Sequence, residues 1–504
     1  MNHIGGNRGL WTLDFGLWTS KLLLAVSLLV SVSYFYDIPR NPVGFFVDEA
    51  SIAYNAHSIA QQGKDEYGYT FPLYFRAFGE YKSPVYVYVL AAVFRITGPS
   101  VLVARFLSGV MGLVAAILIG LLGFRLSRKR IVGLLLFLFA TLTPWLFEIS
   151  RLVFEVALLP VLLAAFLLLL SRAAKRERWS WQIVAGLGVL LGLMVYSYSV
   201  GRMLAPIFAI GLVFFAGRRR WRNVVLTWIV FGVTLVPLAV FTVRHPGALS
   251  ERFKFVTYVK PENTSSEIAI RFVQNYLGNF SPRSWLIKGD PEPRHHLPGM
   301  GSLLFGVAAL SLLGFCVVLL RHRGDRWWRY ILFGLFVSPI PASLTLDHFH
   351  TLRLIALPIF LMVLTVPAIE VLSEASETRG SRLTLRRTVL ASLVIITLVQ
   401  GAVFHYRFHA ALPREDAFDS YYQELLRSAL AQSERPIYLY DKTPAAYVYA
   451  YWYATLWGVS ISNFERLPRD QKPPAGAVVI GHELPCTDCE IINQRGQFQV
   501  YRTK

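Results

Sequence analysis

Charge is scarce in this sequence. Only 16% of its 504 residues are Asp, Glu, Lys or Arg, against roughly a quarter in an ordinary soluble domain, which excludes a largely solvated globule and a disordered chain alike. Cysteine is scarcer still: three residues, one of them (Cys316) inside an apolar run, exclude a disulfide framework. No phosphate-cradling glycine loop, dinucleotide fingerprint or nucleophile elbow occurs, so nucleotide-driven chemistry finds no support. What is abundant is apolar surface. Hydrophobic residues make up 54%, with 35 Phe, 24 Tyr and 12 Trp, and mean hydropathy is +0.46. That is the composition of a polytopic α-helical membrane protein. A formal charge of +19 would suggest nucleic acid in a soluble chain, but here the basic residues fall in short clusters between apolar runs, a pattern of topology and not of nucleic-acid binding.

Runs suited to a hydrocarbon core about 30 Å thick fall at about 22–36, 102–124, 131–147, 152–171, 183–199, 203–216, 224–243, 300–320, 330–345, 351–372 and 388–406. About eleven transmembrane helices are therefore predicted. Connections 125–130, 172–178, 218–222, 321–329 and 379–387 each hold four Lys or Arg. The positive-inside rule makes all five cytoplasmic, and they alternate with external connections from 102 to 406 without conflict. Parity then assigns the short run 84–97 to the first external loop as an interfacial or re-entrant helix. The first span has no small-residue cleavage site after it and reads as an uncleaved anchor with a cytoplasmic amino terminus. The expected organisation is a transmembrane domain over 1–406, with external loops 37–101 and 244–299, followed by a small external α/β domain over 407–504. That last domain is read from strand-like PIYLY and AVVIG and from a Tyr-rich helical stretch near 444–457.

The candidate chemistry collects at the external rim. The first external loop carries two acidic pairs, Asp48–Glu49 and Asp65–Glu66. Asp48 stands where an acidic cap of an amphipathic helix belongs, and a carboxylate fixed at the rim can also act as a base. In FRAFGEYKSP, Lys82 precedes a Pro-started interfacial helix, where it either snorkels or attracts a lipid phosphate. Arg151 and Glu155, four apart in EISRLVFEVALLP, can pair on one helical face, and ionisable residues in spans line substrate paths. Tyr198 and Arg202 fall at the next external turn. GDPEPRHHLPGMG adds Asp290, Arg294, His295 and His296, and DHFHTLR adds Asp347, His348, His350 and Arg353. These His and Asp residues are split between loops without the tight spacing of a metal motif. No metal or other cofactor is therefore expected, a divalent ion being the alternative, and Arg294 and Arg353 read better as phosphate anchors. Cys486 and Cys489 in CTDC read as a local disulfide.

Taken in chain order, FFVDEASIAYNAHSI, GKDEYG, FGEYKSP, SRLVFE and GDPEPRH resemble bacterial membrane glycosyltransferases of the GT-C class. The resemblance is to the protein O-mannosyltransferase and aminoarabinose-transferase-like group, which uses polyprenyl-phosphate sugars, and it covers about residues 20–370. It implies a catalytic base in the first external loop, falling by motif position on Asp48. It also implies seven spans before the large external loop, the number that the charge pattern gives independently. Relatives acting on lipid A often carry Lys-Pro-Pro where this chain has Lys82-Ser83-Pro84, and the tail from about 407 lies outside the resemblance.

The expected function is inverting transfer of a hexosyl or pentosyl group from a polyprenyl-phosphate donor to a hydroxyl of a protein, lipid or glycan, at the outer face of the cytoplasmic membrane. Beside Asp48 the donor- and acceptor-binding set is expected to comprise Glu49, Asp65, Glu66, Lys82, Arg151, Glu155, Tyr198, Arg202, Arg294, His295, His350 and Arg353. Cations at the leaving phosphate stabilise the transition state more than the ground state, because negative charge grows there as the bond breaks. The alternative is a transporter or flippase of lipid-linked saccharides, which calls for charges near span midplanes and for repeated halves.

Overall fold

The computed structural model describes residues 8–373, 380–410, 414–440, 447–468, 471–482 and 488–504. It is a multi-pass helical membrane protein with a sheet-containing unit near its carboxy terminus. Among the described residues, four helical segments are long and apolar enough to cross a membrane: Val101–Ser127, Glu155–Ala174, Trp221–Arg244 and Thr384–Ala410. Seven shorter apolar helices accompany them, at Ser20–Ser33, Pro84–Thr97, Arg130–Leu142, Trp181–Ser197, Ser199–Phe215, Phe305–Arg321 and Leu357–Ser373. The predicted run 330–345 is interrupted. Its helix, Arg326–Val337, opens with Arg-Trp-Trp-Arg and stops before Pro339, after which a single turn, Ile340–Ser343, follows.

Proline also splits the predicted run 131–147. The helix Arg130–Leu142 ends ahead of Pro144, the short helix Pro144–Ile149 follows, and residues 150–154 are non-helical up to the turn Glu155–Ala157. Arg151 and Glu155 therefore do not share a helical face, and the expected pair does not form. Arg151 is fully buried and donates instead to four carbonyls: Ser33, Tyr34, Tyr36 and Asn41, at 3.3, 3.0, 3.0 and 2.6 Å. It thus holds the chain that leaves the first helix, which ends at Ser33, by its carbonyls from Ser33 to Asn41.

The helix Val47–Gln62 carries the first acidic pair. Its N-cap is Phe46, not Asp48, and the backbone N–H of Phe46 donates to the Glu49 carboxylate at 2.9 Å. Glu49 is wholly buried. It accepts from Arg105 Nε at 3.0 Å and Nη2 at 2.9 Å, and from the Val153 N–H at 3.0 Å. Arg105 also donates to the carbonyls of Pro42 and Gly44. One buried, fully satisfied ion pair thereby ties the loop before Val47, the helix Val101–Ser127 and the segment after Ile149.

Two small sheets complete the fold. Strands β1 (Phe75–Ala77) and β2 (Glu80–Lys82) form an antiparallel hairpin. Strands β3 (Ile437–Tyr440), β4 (Phe464–Leu467), β5 (Val478–Gly481), β6 (Glu490–Arg495) and β7 (Phe498–Arg502) form a sheet of order β4-β3-β5-β7-β6. Strand β3 is parallel to both its neighbours, while β7 is antiparallel to β5 and β6. PIYLY and AVVIG are thus strands, and the Tyr-rich stretch is the helix Tyr447–Trp457, residues 444–446 lying outside the described ones. That helix docks on Val47–Gln62. Its Trp452 is buried and stacks on Phe45 at 5.4 Å and Phe94 at 6.1 Å between ring centroids. Cys489 is disulfide-bonded and Cys316 is free, while Cys486 lies outside the described residues.

Breaking a buried ion pair from one side costs about 3–5 kcal/mol. Arg105→Met is expected to lower the unfolding midpoint of the detergent-solubilised protein well below that of a surface control such as Arg219→Met. Equal midpoints would show that the Glu49–Arg105 pair does not hold the loop.

Candidate active site

The hairpin determines where Lys82 goes. Phe78 and Gly79 at its tip both take positive φ, 55° and 81°, the backbone of a tight two-residue turn whose twist suits the strands. Side chains two apart on a strand share a face, so Glu80 and Lys82 point the same way. Pro84 then starts the helix Pro84–Thr97 at once. Lys82 Nζ lies 2.5 Å from Asp48 Oδ1 and 3.0 Å from Glu80 Oε1, and Glu80 Oε2 lies 3.3 Å from Arg252 Nε. Asp48 and Glu49 are successive on a helix and about 100° apart around it, so the fold buries one and presents the other.

The Asp48 side chain is 31% exposed and that of Lys82 is 11% exposed. Burial pushes the Asp48 carboxyl up, but the charge and hydrogen bond of Lys82, with Arg294 and Arg252 beyond, outweigh it and hold the group below its ordinary value. Burial likewise pushes the Lys82 ammonium down, and Asp48, Glu80 and Glu155 more than reverse this. Both groups are charged at neutral pH.

These residues line a cavity of about 560 Å³. It brings together Asp48, Lys82, Glu155, Tyr198, Arg202, Arg294, His295, His350 and Arg353 from the expected set, and adds Glu80 and Arg252. Five Lys and Arg side chains face three carboxylates across it, a balance suited to an anionic ligand. Glu155 accepts the Ser83 N–H and so anchors the residue after Lys82. Tyr198 sits in the extended break between the helices Trp181–Ser197 and Ser199–Gly211. Arg294 pairs with Glu292 at 2.8 Å and stacks on Phe46 at 4.5 Å, while Arg353 pairs with Asp347 and donates to Thr345 Oγ1 at 3.0 Å.

Four expected residues do not line the cavity. Glu49 and Arg151 are the buried ties described above. Asp65 closes its own turn, accepting the N–H groups of Tyr67 at 2.9 Å and Tyr69 at 2.8 Å. Glu66 faces the carboxy-terminal helix, accepting the Tyr447 hydroxyl at 2.9 Å. The two adjacent His residues also divide. His296 bonds Glu148 at 2.6 Å and the Met300 carbonyl at 2.7 Å, packed where a Cβ on Gly289 (φ +66°) would collide with its ring, while His295 reaches the cavity. For His350, burial and the nearby Arg353 and His295 push the pKa well below the ordinary value. It is a neutral imidazole at neutral pH. Arg252 carried no signal in the sequence beyond its place in loop 244–299. Glu80 was visible only as a neighbour of Lys82.

Comparison with known proteins bears on this arrangement. Residues 81–243 match the family model described as dolichyl-phosphate-mannose-protein mannosyltransferase. The fold is similar to ArnT from Cupriavidus metallidurans bound to undecaprenyl phosphate, at 12% identity and a TM-score of 0.62 over 96% of this chain and 97% of that one. The same protein in the apo state gives 13% identity and a TM-score of 0.60 over the same shares. The Archaeoglobus fulgidus oligosaccharyltransferase, in complex with Zn and sulfate, gives 14% and 0.54 over 88% of this chain and 62% of that one. No curated protein matches the sequence. The fold is that of a GT-C-class membrane glycosyltransferase. Its fold is ArnT-like, and its segment 81–243 matches the mannosyltransferase family model.

Glu66 supplies a pH test of how the carboxy-terminal unit is held. Burial raises its carboxyl from 4.5 to about 7, against the opposing pull of Tyr447, Asn55 and Arg466. Between these values the folded state binds more protons than the unfolded, so stability falls as pH rises through the window. The unfolding midpoint is expected to drop from pH 5 to pH 7, and Glu66→Gln to flatten that slope. An unchanged slope in the variant would contradict the assignment.

Proposed function

We propose that the chain is an inverting glycosyltransferase that moves a sugar from a polyprenyl-phosphate donor to an acceptor hydroxyl at the outer face of the cytoplasmic membrane. Its amino terminus is then cytoplasmic and its carboxy-terminal unit external. The observation that carries this reading is the cavity itself, in which one partly exposed carboxylate, Asp48, faces a set of cations. An apolar groove of about 500 Å³ supports it. The groove is lined by Leu73, Pro84, Val85, Tyr88, Val89 and Tyr196, among others, and so begins two residues from Lys82. A prenyl chain lying there would run beside the helix that Lys82 precedes.

Asp48 accepts the proton of the acceptor hydroxyl as its oxygen attacks the anomeric carbon. The bond from that carbon to the donor phosphate breaks, and the phosphate leaves with the electron pair, its growing charge met by Lys82, Arg252, Arg294 and Arg353. One base and a direct displacement leave no covalent intermediate, so configuration inverts. Asp48 paired to Lys82 is a weak base. A donor phosphate that draws Lys82 toward itself strengthens that base when the substrate arrives. The cavity's ionisable groups come from loops and helix ends, which favours a transferase over a flippase.

The test is a transfer assay with purified protein and a panel of polyprenyl-phosphate sugars. Asp48→Asn is expected to lower turnover by about 10²–10⁴-fold while donor binding stays near wild type. Lys82→Ala or Arg353→Ala should weaken donor binding by about tenfold or more, and the product should carry the anomeric configuration opposite to the donor's. Full activity in Asp48→Asn, or retention of configuration, would refute the proposal.

A further inference from the structure

Two imidazoles at the cavity wall carry ring nitrogens that nothing satisfies. His295 is 6% exposed, and its ring centroid lies 4.8 Å from that of His350. Nδ1 of each ring is sealed from solvent and has no hydrogen-bond partner among the described residues. Leaving one buried polar atom unpaired costs about 1–3 kcal/mol, and native interiors leave few such atoms. Beside them sits Asp290, 4% exposed, whose Oδ2 is 3.6 Å from His295 Nδ1, beyond hydrogen-bond range.

Asp290 is already fixed in place. Its Oδ2 accepts from the backbone N–H and the hydroxyl of Thr351, each at 2.7 Å, and its Oδ1 accepts the Glu292 N–H at 2.9 Å. One ligand atom from each of Asp290, His295 and His350 lies within 4.8 Å of the other two. Bonds of about 2.0–2.2 Å to a tetrahedral cation put ligand atoms roughly 3.5 Å apart, so a side-chain movement of about 1 Å closes the set. The adjacent guanidinium groups do not forbid a cation, since Arg294 pairs with Glu292 and Arg353 with Asp347.

We propose that Asp290, His295 and His350 form a three-ligand site for a divalent transition cation of the Zn²⁺ type, with its fourth position open to the cavity. Two imidazole nitrogens and one carboxylate oxygen with a vacant position suit such an ion better than Mg²⁺ or Ca²⁺, which prefer all-oxygen sets. His295 and His350 line the cavity, so the open position faces the space assigned to the donor phosphate. That role for the open position rests on the transferase reading; metal binding itself does not.

The experiment uses the tag-free full-length protein in detergent, stripped with a chelator and dialysed against buffered Zn²⁺, with metal content read by mass spectrometry. About one Zn²⁺ per chain is expected. His295→Gln and His350→Gln should each weaken binding by more than about tenfold, in samples that remain monodisperse and melt like the metal-free wild type. Independently of any variant, Co²⁺ loaded into the wild type should give the visible absorption of a tetrahedral nitrogen and oxygen site, and inorganic phosphate should shift it. Absence of stoichiometric uptake by the wild type, or equal affinity in both variants, would overturn the site. A Co²⁺ spectrum indifferent to phosphate would overturn the open position. None of these readouts depends on sugar transfer.

Discussion

The shared ammonium of Lys82 is the constraint on which the rest of the cavity depends. It lies between Asp48 and Glu80, mostly shielded from water, and Glu80 passes the charge on to Arg252. That cation outweighs the upward push of burial on Asp48 and holds its carboxyl below the ordinary value. It also holds Asp48 in a state from which it cannot act strongly as a base. The chain fixes this arrangement by covalent geometry as much as by charge. A two-residue turn sets the face of Glu80 and Lys82, Pro84 starts the next helix immediately, and Glu155 grips the Ser83 N–H between them.

Around the cluster stands a second tier of buried charge with no part in the cavity. Glu49 with Arg105, and Arg151 with its four carbonyls, hold the first loop against the helices that flank it. Buried charges of this kind persist when partners compensate them, as Glu49 and Arg105 do for each other and four carbonyls do for the Arg151 Nη atoms, and they brace the helix that carries Asp48. The carboxy-terminal unit adds a further brace through Trp452, clasped between Phe45 and Phe94 close to the start of that helix.

Much of this was legible in the sequence, for identifiable reasons. Apolar runs and basic clusters marked the helices because the bilayer imposes a length on each. Asp48, Lys82 and Arg353 stood out because charge beside an apolar run is costly without a purpose. The β-branched and aromatic residues of PIYLY and AVVIG marked two strands of the later sheet. What failed did so where tertiary packing decides. Nothing local distinguishes Asp48 from Glu49, yet helix geometry sends one to the cavity and the other to Arg105. Arg151 and Glu155 had helical spacing, but Pro144 and the irregular stretch after it removed the helix between them. Arg252 meets Glu80, and Asp290 meets His350, across loops far apart in the chain. Spacing carries no record of such encounters.

The central claim is that Lys82 is held in common by Asp48 and the donor phosphate. It is tested most directly by titrating the Asp48 carboxyl, by difference infrared spectroscopy against Asp48→Asn, with and without a bound polyprenyl phosphate. A carboxyl titrating below the ordinary range in the free protein, and moving upward when the phosphate binds, is the predicted result. A value that stays where it was on binding would contradict the account.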